Sequence, residues 1–237
     1  MLLNDKKTAA HIRAFASAGK LEVIYCDNHI LVLNKPAGIL IQRDKTGDSS
    51  LIEYAKAYIK DKYNKPGNVY LGLVHRLDRP VSGVVVFART SKAASRLSNQ
   101  FKERTTGKIY TAIVEGEIPA EGDWLDSVAR RGVTSYIAED GEGRPADLHF
   151  SRLIYKDGFS LVRIRLGTGR HHQIRIQFSS RGYPIVGDFR YGSGLKFGDR
   201  AIALHSSLLK ITHPTTKEEM TFRAKPAEIW HNYFTEI

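Results

Sequence analysis

Leu73-Val74-His75-Arg76-Leu77-Asp78-Arg79-Pro80-Val81-Ser82-Gly83 runs without a break into Val84-Val85-Val86-Phe87-Ala88. The second run is apolar and mostly β-branched, the composition of a strand buried on both faces. The first ends on Pro, Ser and Gly, which favour turns, and places one carboxylate between Arg76 and Arg79. A carboxylate so flanked stays ionised, in a loop that attracts the phosphates of a polyanion. Asp78 is therefore a candidate nucleophile acting on nucleic acid. On spacing alone, the commoner arrangement is a surface turn in which Asp78 only pairs with an arginine.

Outward from this loop the pattern alternates between short strands and a few helices. Val23-Ile24-Tyr25 and Ile30-Leu31-Val32-Leu33, joined through Asp27-Asn28, predict a hairpin. Ser50 caps an expected helix to about Lys60, with Leu51, Tyr54, Ala55 and Ile59 on its buried face. Residues 91–104 form a second helix, with Ala94, Leu97 and Phe101 on one side, and residues 107–115 return as a strand. Residues 116–152 are turn-rich and polar and predict only lesser strands, with a hairpin tip at 141–145. Leu161-Val162-Arg163-Ile164-Arg165-Leu166 alternates as a half-buried strand. From Thr168 to Gly182 the spacing fits a strand or a helix opening near Thr168 and Gly169. Residues 201–211, the His213-Pro214 turn and 219–223 predict a closing hairpin, followed by a short helix from Ala227. The sum is an α+β domain on a mixed, largely antiparallel sheet flanked by helices and loops.

Composition narrows the class of protein. The chain has 237 residues, enough for a sizeable core, and no run of 18 apolar residues to cross a bilayer. Its first 20 residues have no continuous apolar stretch of the signal-peptide kind, so a cytoplasmic location is expected. Cys26 is the only cysteine, which excludes an intrachain disulfide and a Cys-x-x-Cys zinc site and leaves a small buried hydrophobe. The net charge of +11 has no low-complexity tail to carry it, so the folded body is basic and suited to a phosphate backbone.

The wording HRLDRPVSG at 75–83 resembles the signature HRLDxxTSG of the RluA-type RNA pseudouridine synthases. Five further stretches are similar to that family in the family's order: Asn34-Lys35-Pro36-Ala37-Gly38, Lys108-Ile109-Tyr110-Thr111-Ala112-Ile113-Val114-Glu115-Gly116, Thr168-Gly169-Arg170-His171-His172-Gln173-Ile174-Arg175, 184–188, and Leu204-His205-Ser206. Val81 departs from the pattern, standing where Thr is usual and losing a hydroxyl.

The resemblance implies a pseudouridine-synthase-like catalytic domain over residues 21–237, with 1–20 as an N-terminal extension and no accessory RNA-binding domain. It also tips the ambiguous stretch from Thr168 to Gly182 toward a helix. It implies a monomeric isomerase acting on uridines of ribosomal or transfer RNA, with base flipping and with neither metal nor cofactor. Asp78 takes the catalytic role, Arg175 orients it through a charge-assisted pair that its planar fork can make bidentate, and Tyr110 stacks on the flipped base and assists proton removal at carbon 5. Arg76, Arg79, Lys35, Arg170 and His172 are expected to meet the RNA, Lys35 and Arg170 either through phosphates or by bracing loops. Two other readings stay open. One is a non-catalytic RNA-binding module of the same fold. The other is a metal-dependent nuclease assembled from His75, Asp78, His171, His172, Asp188 and His205; against it, the adjacent histidines 171 and 172 would point apart on a helix.

Overall fold

A computed structural model describes residues 21–139 and 142–235. The expected N-terminal extension lies outside the described residues.

Among the described residues, eleven strands form one sheet. In chain order they are β1 (Glu22–Cys26), β2 (Ile30–Lys35), β3 (Gly72–Leu73), β4 (Ser82–Ala88), β5 (Gly107–Glu115), β6 (Glu121–Arg131), β7 (Thr134–Ile137), β8 (Arg144–Lys156), β9 (Phe159–Leu166), β10 (Leu204–Thr212) and β11 (Glu219–Arg223). Their spatial order is β1-β2-β4-β10-β5-β9-β8-β6-β7, with β3 on β4 and β11 on β10. Every pairing is antiparallel except β4 with β10, where His205 faces Ser82 and Ser206 faces Gly83. The sheet is thus mixed and largely antiparallel, as the alternation of short runs implied.

The continuous apolar character of β2 and β4 has a direct cause. Leu31, Leu33, Val85 and Phe87 enter the main core, while Ile30, Val32, Val84, Val86 and Ala88 enter a second cluster on the other face. Two helices pack against these strands. Helix α1 (Leu51–Lys62) starts where the Glu53 carboxylate accepts hydrogen bonds from the Ser50 amide and hydroxyl, and it buries the expected Leu51, Tyr54, Ala55 and Ile59. Helix α2 (Ser91–Glu103) is capped by Thr90, whose hydroxyl accepts from the Ala93 amide at 3.1 Å, and it covers the second cluster with Ala93 and Leu97.

Several expectations change. The polar stretch after β5 holds the two longest strands, β6 and β8, at 11 and 13 residues. Their outer positions alternate into solvent, which mutes the apolar signal a central strand gives. The expected tip at 141–145 is displaced: Arg144 already pairs with Val128, and the tight turn falls at Gly132 between β6 and β7, while Gly141 lies outside the described residues. Helix α3 (Gln173–Ser179) begins five residues after Thr168, because the Thr168 hydroxyl is occupied by the Asp147 amide and the Gln173 side chain. The segment from Ala227 is a 3₁₀ turn, Glu228–Asn232, and Cys26 is half-buried, beside the Tyr63 hydroxyl at 3.6 Å and Arg89 at 3.4 Å. Among the described residues no helix is long and apolar enough to cross a membrane.

Candidate active site

Residues 74–81 form the loop between β3 and β4. Lys35, the last residue of β2, supports it from beneath. Its side chain is fully buried and donates to the carbonyls of Val81 (2.6 Å), Pro36 (3.0 Å) and Arg79 (3.0 Å). Three carbonyls match the three N–H donors of an ammonium, although burial pulls the Lys35 pKa down to about 7. A phosphate contact by Lys35 is corrected accordingly: the amine is enclosed and its donors are spent on the loop. Arg79 is tied sideways, to the Gly38 carbonyl at 2.9 Å and to Asp48. The loop leaves through Gly83, at φ +117°, where a Cβ would lie 2.3 Å from the Ser206 carbonyl oxygen. Only glycine permits that approach of β4 to β10.

Asp78 projects from this loop toward α3. Its Oδ2 accepts from Arg175 Nη1 at 3.1 Å and lies 3.4 Å from His172 Nε2. The bidentate fork expected between Arg175 and Asp78 is instead made with Asp188: Arg175 Nε reaches Asp188 Oδ2 at 2.6 Å and Nη2 reaches Oδ1 at 2.7 Å. Asp188 is buried, and a buried carboxylate requires such a paired cation. The fork leaves Nη1 as the guanidinium edge presented to Asp78. Burial opposes the charge on Arg175, but the Asp188 hydrogen bonds and the two carboxylate charges outweigh it and hold its pKa above the usual value.

His172 is fixed from behind. Its Nδ1 lies 2.7 Å from the Tyr191 hydroxyl, whose oxygen also accepts the Ser135 amide at 2.8 Å. A phenol that accepts from an amide has its own proton to give to Nδ1, which leaves the proton of neutral His172 on Nε2, facing Asp78. Burial keeps the ring neutral, with its pKa pushed down to about 3 against the pull of Asp78. His172 occupies a left-handed conformation, φ +53°, immediately before α3. For that reason the rings of His171 and His172 stack at 3.7 Å, contrary to the expectation that they point apart.

Tyr110 comes from β5, opposite Ser206 of β10. Burial raises its hydroxyl pKa to about 12, the Ser206 hydrogen bond opposes this, and the charge of Asp78 adds to it. At neutral pH it is a phenol. Asp78, Tyr110, Arg175, His172, Arg76 and Arg170 line one cleft of about 300 Å³, floored by Leu77, Val81, Leu166, Ile174 and Leu204. Such a volume is at the lower end for ligand sites and suits one small planar group. Val81 contributes an apolar wall to the cleft and is nearly enclosed. The sequence marks Asp188 in the 184–188 motif and beside Asp78 and His172 as a possible metal ligand, but not as the partner of Arg175, and nothing in the spacing marks Tyr191. Arg130, also at the cleft, sits on β6, in the stretch that read as irregular.

The remaining histidines of the nuclease reading are engaged elsewhere. His75 Nε2 accepts the Val86 amide at 3.0 Å, and its ring stacks on Phe101. His205 bridges the Ser82 hydroxyl (2.8 Å) and the Ala224 carbonyl (3.0 Å) across the β4–β10 seam. Burial pushes their pKa values down to about 3 and about 4.

Comparison with known proteins agrees with this geometry. The family model described as RNA pseudouridylate synthase matches residues 29–180. The chain is 32% identical over 243 residues to the tRNA pseudouridine synthase C of Vibrio parahaemolyticus, covering 92% of this chain and 95% of the relative. It is 34% identical over 220 residues to the ribosomal large subunit pseudouridine synthase D of Pseudomonas aeruginosa, covering 86% and 68%. Human RNA pseudouridylate synthase domain containing 4 shares the fold, with a TM-score of 0.78 over 93% of this chain and 96% of that one, at 21% identity.

Proposed function

Since the chain belongs to the RNA pseudouridylate synthase family, within its RluA-type branch, and is an RNA pseudouridine synthase, we propose that it isomerises uridines of transfer or ribosomal RNA with Asp78 as the catalytic group. The observation that carries this reading is the placement of Asp78. Among the described residues, Arg175 Nη1 hydrogen-bonds Oδ2 and His172 Nε2 lies 3.4 Å from the same oxygen, leaving Oδ1 for the substrate. The reaction breaks the bond between ribose carbon 1′ and uracil nitrogen 1, forms one from carbon 1′ to carbon 5, and moves the carbon 5 proton to nitrogen 1. Atoms balance without an oxidant or a second substrate.

Arg175 and His172 each donate toward Asp78 from a braced position, so the carboxylate meets the substrate without reorganising. Arg175 is held by Asp188, and His172 by Tyr191. Tyr110 stacks on the uracil once it is turned out of the RNA, and its hydroxyl lies near the carbon that loses a proton. As a phenol with a pKa of about 12, it takes up that proton only as its own is passed on, and nitrogen 1 of the same base, freed when its bond to carbon 1′ broke, is where the reaction leaves a proton. Arg76, at the mouth of the cleft, fills the space the base vacates; a planar cation offsets part of the few kcal/mol that flipping costs. Arg170 and Arg130 bind flanking phosphates. All these groups come from one chain, so a monomer suffices. Release of tritium from RNA labelled at uridine carbon 5, with pseudouridine identified in the digested product, tests the proposal. RNA that is bound but never releases tritium would favour the non-catalytic module.

A further inference from the structure

A second cleft, of about 480 Å³, is lined by the Arg175–Asp188 pair and shares Arg175 with the catalytic cleft. Its interior is apolar: Phe197 and Ile202 are nearly enclosed, and Gly187, at φ +88°, has Phe197 and the Ala201 carbonyl where a Cβ would sit. At its mouth stands Phe189, 62% exposed, among Arg190, Lys196 and Arg200.

The exposure of Phe189 is fixed by the backbone. Residues Phe189–Tyr191 form a 3₁₀ turn, in which residues three apart share a side. Asp188 and Tyr191 are such a pair, and both face inward, one forked onto Arg175 and the other bonded to His172. Phe189 and Arg190 are thereby turned outward. Arg190 also ties the turn to the Val133 carbonyl at 2.8 Å. Relaxing Phe189 into the protein would break the supports of the catalytic carboxylate.

An outward-fixed aromatic ring beside an apolar hollow, with Arg190, Lys196 and Arg200 outnumbering the single exposed carboxylate Asp199 at the rim, has the chemistry of a platform for a nucleobase. Building on the function proposed above, we propose that Phe189 stacks on an unpaired base flanking the target uridine, with Lys196 and Arg200 on its phosphates. Because Arg175 lines both clefts, a strand with one base in each crosses the short ridge between them. The cationic rim favours RNA over a protein partner docking on the same ring.

Phe189→Trp provides a reporter at the position itself, read against the unsubstituted protein with its two native tryptophans. At low salt, decauridylate and unfractionated transfer RNA should each quench the new fluorescence saturably, since stacking tolerates any base. Polyglutamate, which has charge but no base, should not. Phe189→Ala should weaken RNA affinity about 5- to 150-fold by fluorescence anisotropy, the scale of one stacked base. Lys196→Glu with Arg200→Glu should weaken it too and move the quenching midpoint with it. Absence of quenching, equal quenching by polyglutamate, or unchanged affinity of Phe189→Ala would each overturn the inference. Pseudouridine formed without quenching removes this platform alone. Quenching without pseudouridine leaves the platform and removes the proposed activity.

Discussion

One wall of the catalytic cleft is pinned by buried polar groups, and the wall facing it carries exposed charge. On the first, Lys35, Arg79 and Gly83 fix residues 74–81 through short hydrogen bonds and a close backbone approach. On the second, Arg130 and Arg170 line the cleft and Arg144 stands beside them in an adjoining hollow, along β6, the turn before α3 and β8. The contrast teaches a division of labour. Changes at Asp78 and the groups that orient it should alter the barrier, while changes on the arginine wall should alter affinity and its salt dependence.

The largest effect expected is at Asp78. Asp78→Asn keeps the shape and removes the charge, so turnover should fall by at least about 10⁴-fold while RNA binding stays within about tenfold. Single-turnover tritium release and a filter-binding titration measure the two sides. A matching loss in binding would break the contrast between the walls. Tyr110→Phe retains the ring and loses the hydroxyl; turnover should drop about 10²-fold with affinity held, the usual scale for proton-transfer assistance. Equal turnover would make Tyr110 a stacking surface only.

Acid should loosen the pinned side first. His205 is held neutral in the fold, with its pKa depressed to about 4 from the ordinary 6.5. Between those values the unfolded chain binds more protons, so the stability His205 contributes is intact above about pH 6.5 and shrinks as pH falls toward 4. At pH 5 the loss from this one ring is roughly 2 kcal/mol. Urea unfolding at pH 7 and pH 5 should show it, and His205→Gln should lessen the difference. A pH-independent midpoint would mean the seam does not depend on the neutral ring.

The smallest effects belong to the arginine wall. Replacing Arg130, Arg144 or Arg170 singly by Ala should weaken affinity only several-fold and lower the slope of log affinity against log salt by about 0.7 to 0.9 each, with turnover at saturation retained. An unchanged slope would show that the arginine replaced meets no phosphate.

How far the sequence disclosed this site depends on where each interaction runs. Asp78 was legible because it is the one carboxylate in a basic, turn-rich loop ahead of an apolar strand, and Tyr110 and Arg175 because they sit in local motifs. The fork of Arg175 onto Asp188 joins residues 13 apart across an intervening turn, and the Tyr191–His172 pair spans 19. No local period encodes either. The same holds for the fold: β4 read clearly because both its faces are buried, whereas β6 and β8, half in solvent, read only as lesser strands although they supply part of the charged wall.

The parallel seam between β4 and β10 has a consequence for how the chain acquires activity. Ser82 and His205 meet across it although 123 residues separate them, and β10 lies between β4 and β5 in the sheet. During synthesis the N-terminal part can pair β1, β2 and β4 early, but the centre of the sheet stays open until β10 is made. Closing so long a loop is the slow kind of contact. The loop bearing Asp78 therefore takes its final shape among the last events of folding, and a nascent chain ending before residue 204 cannot act on RNA prematurely.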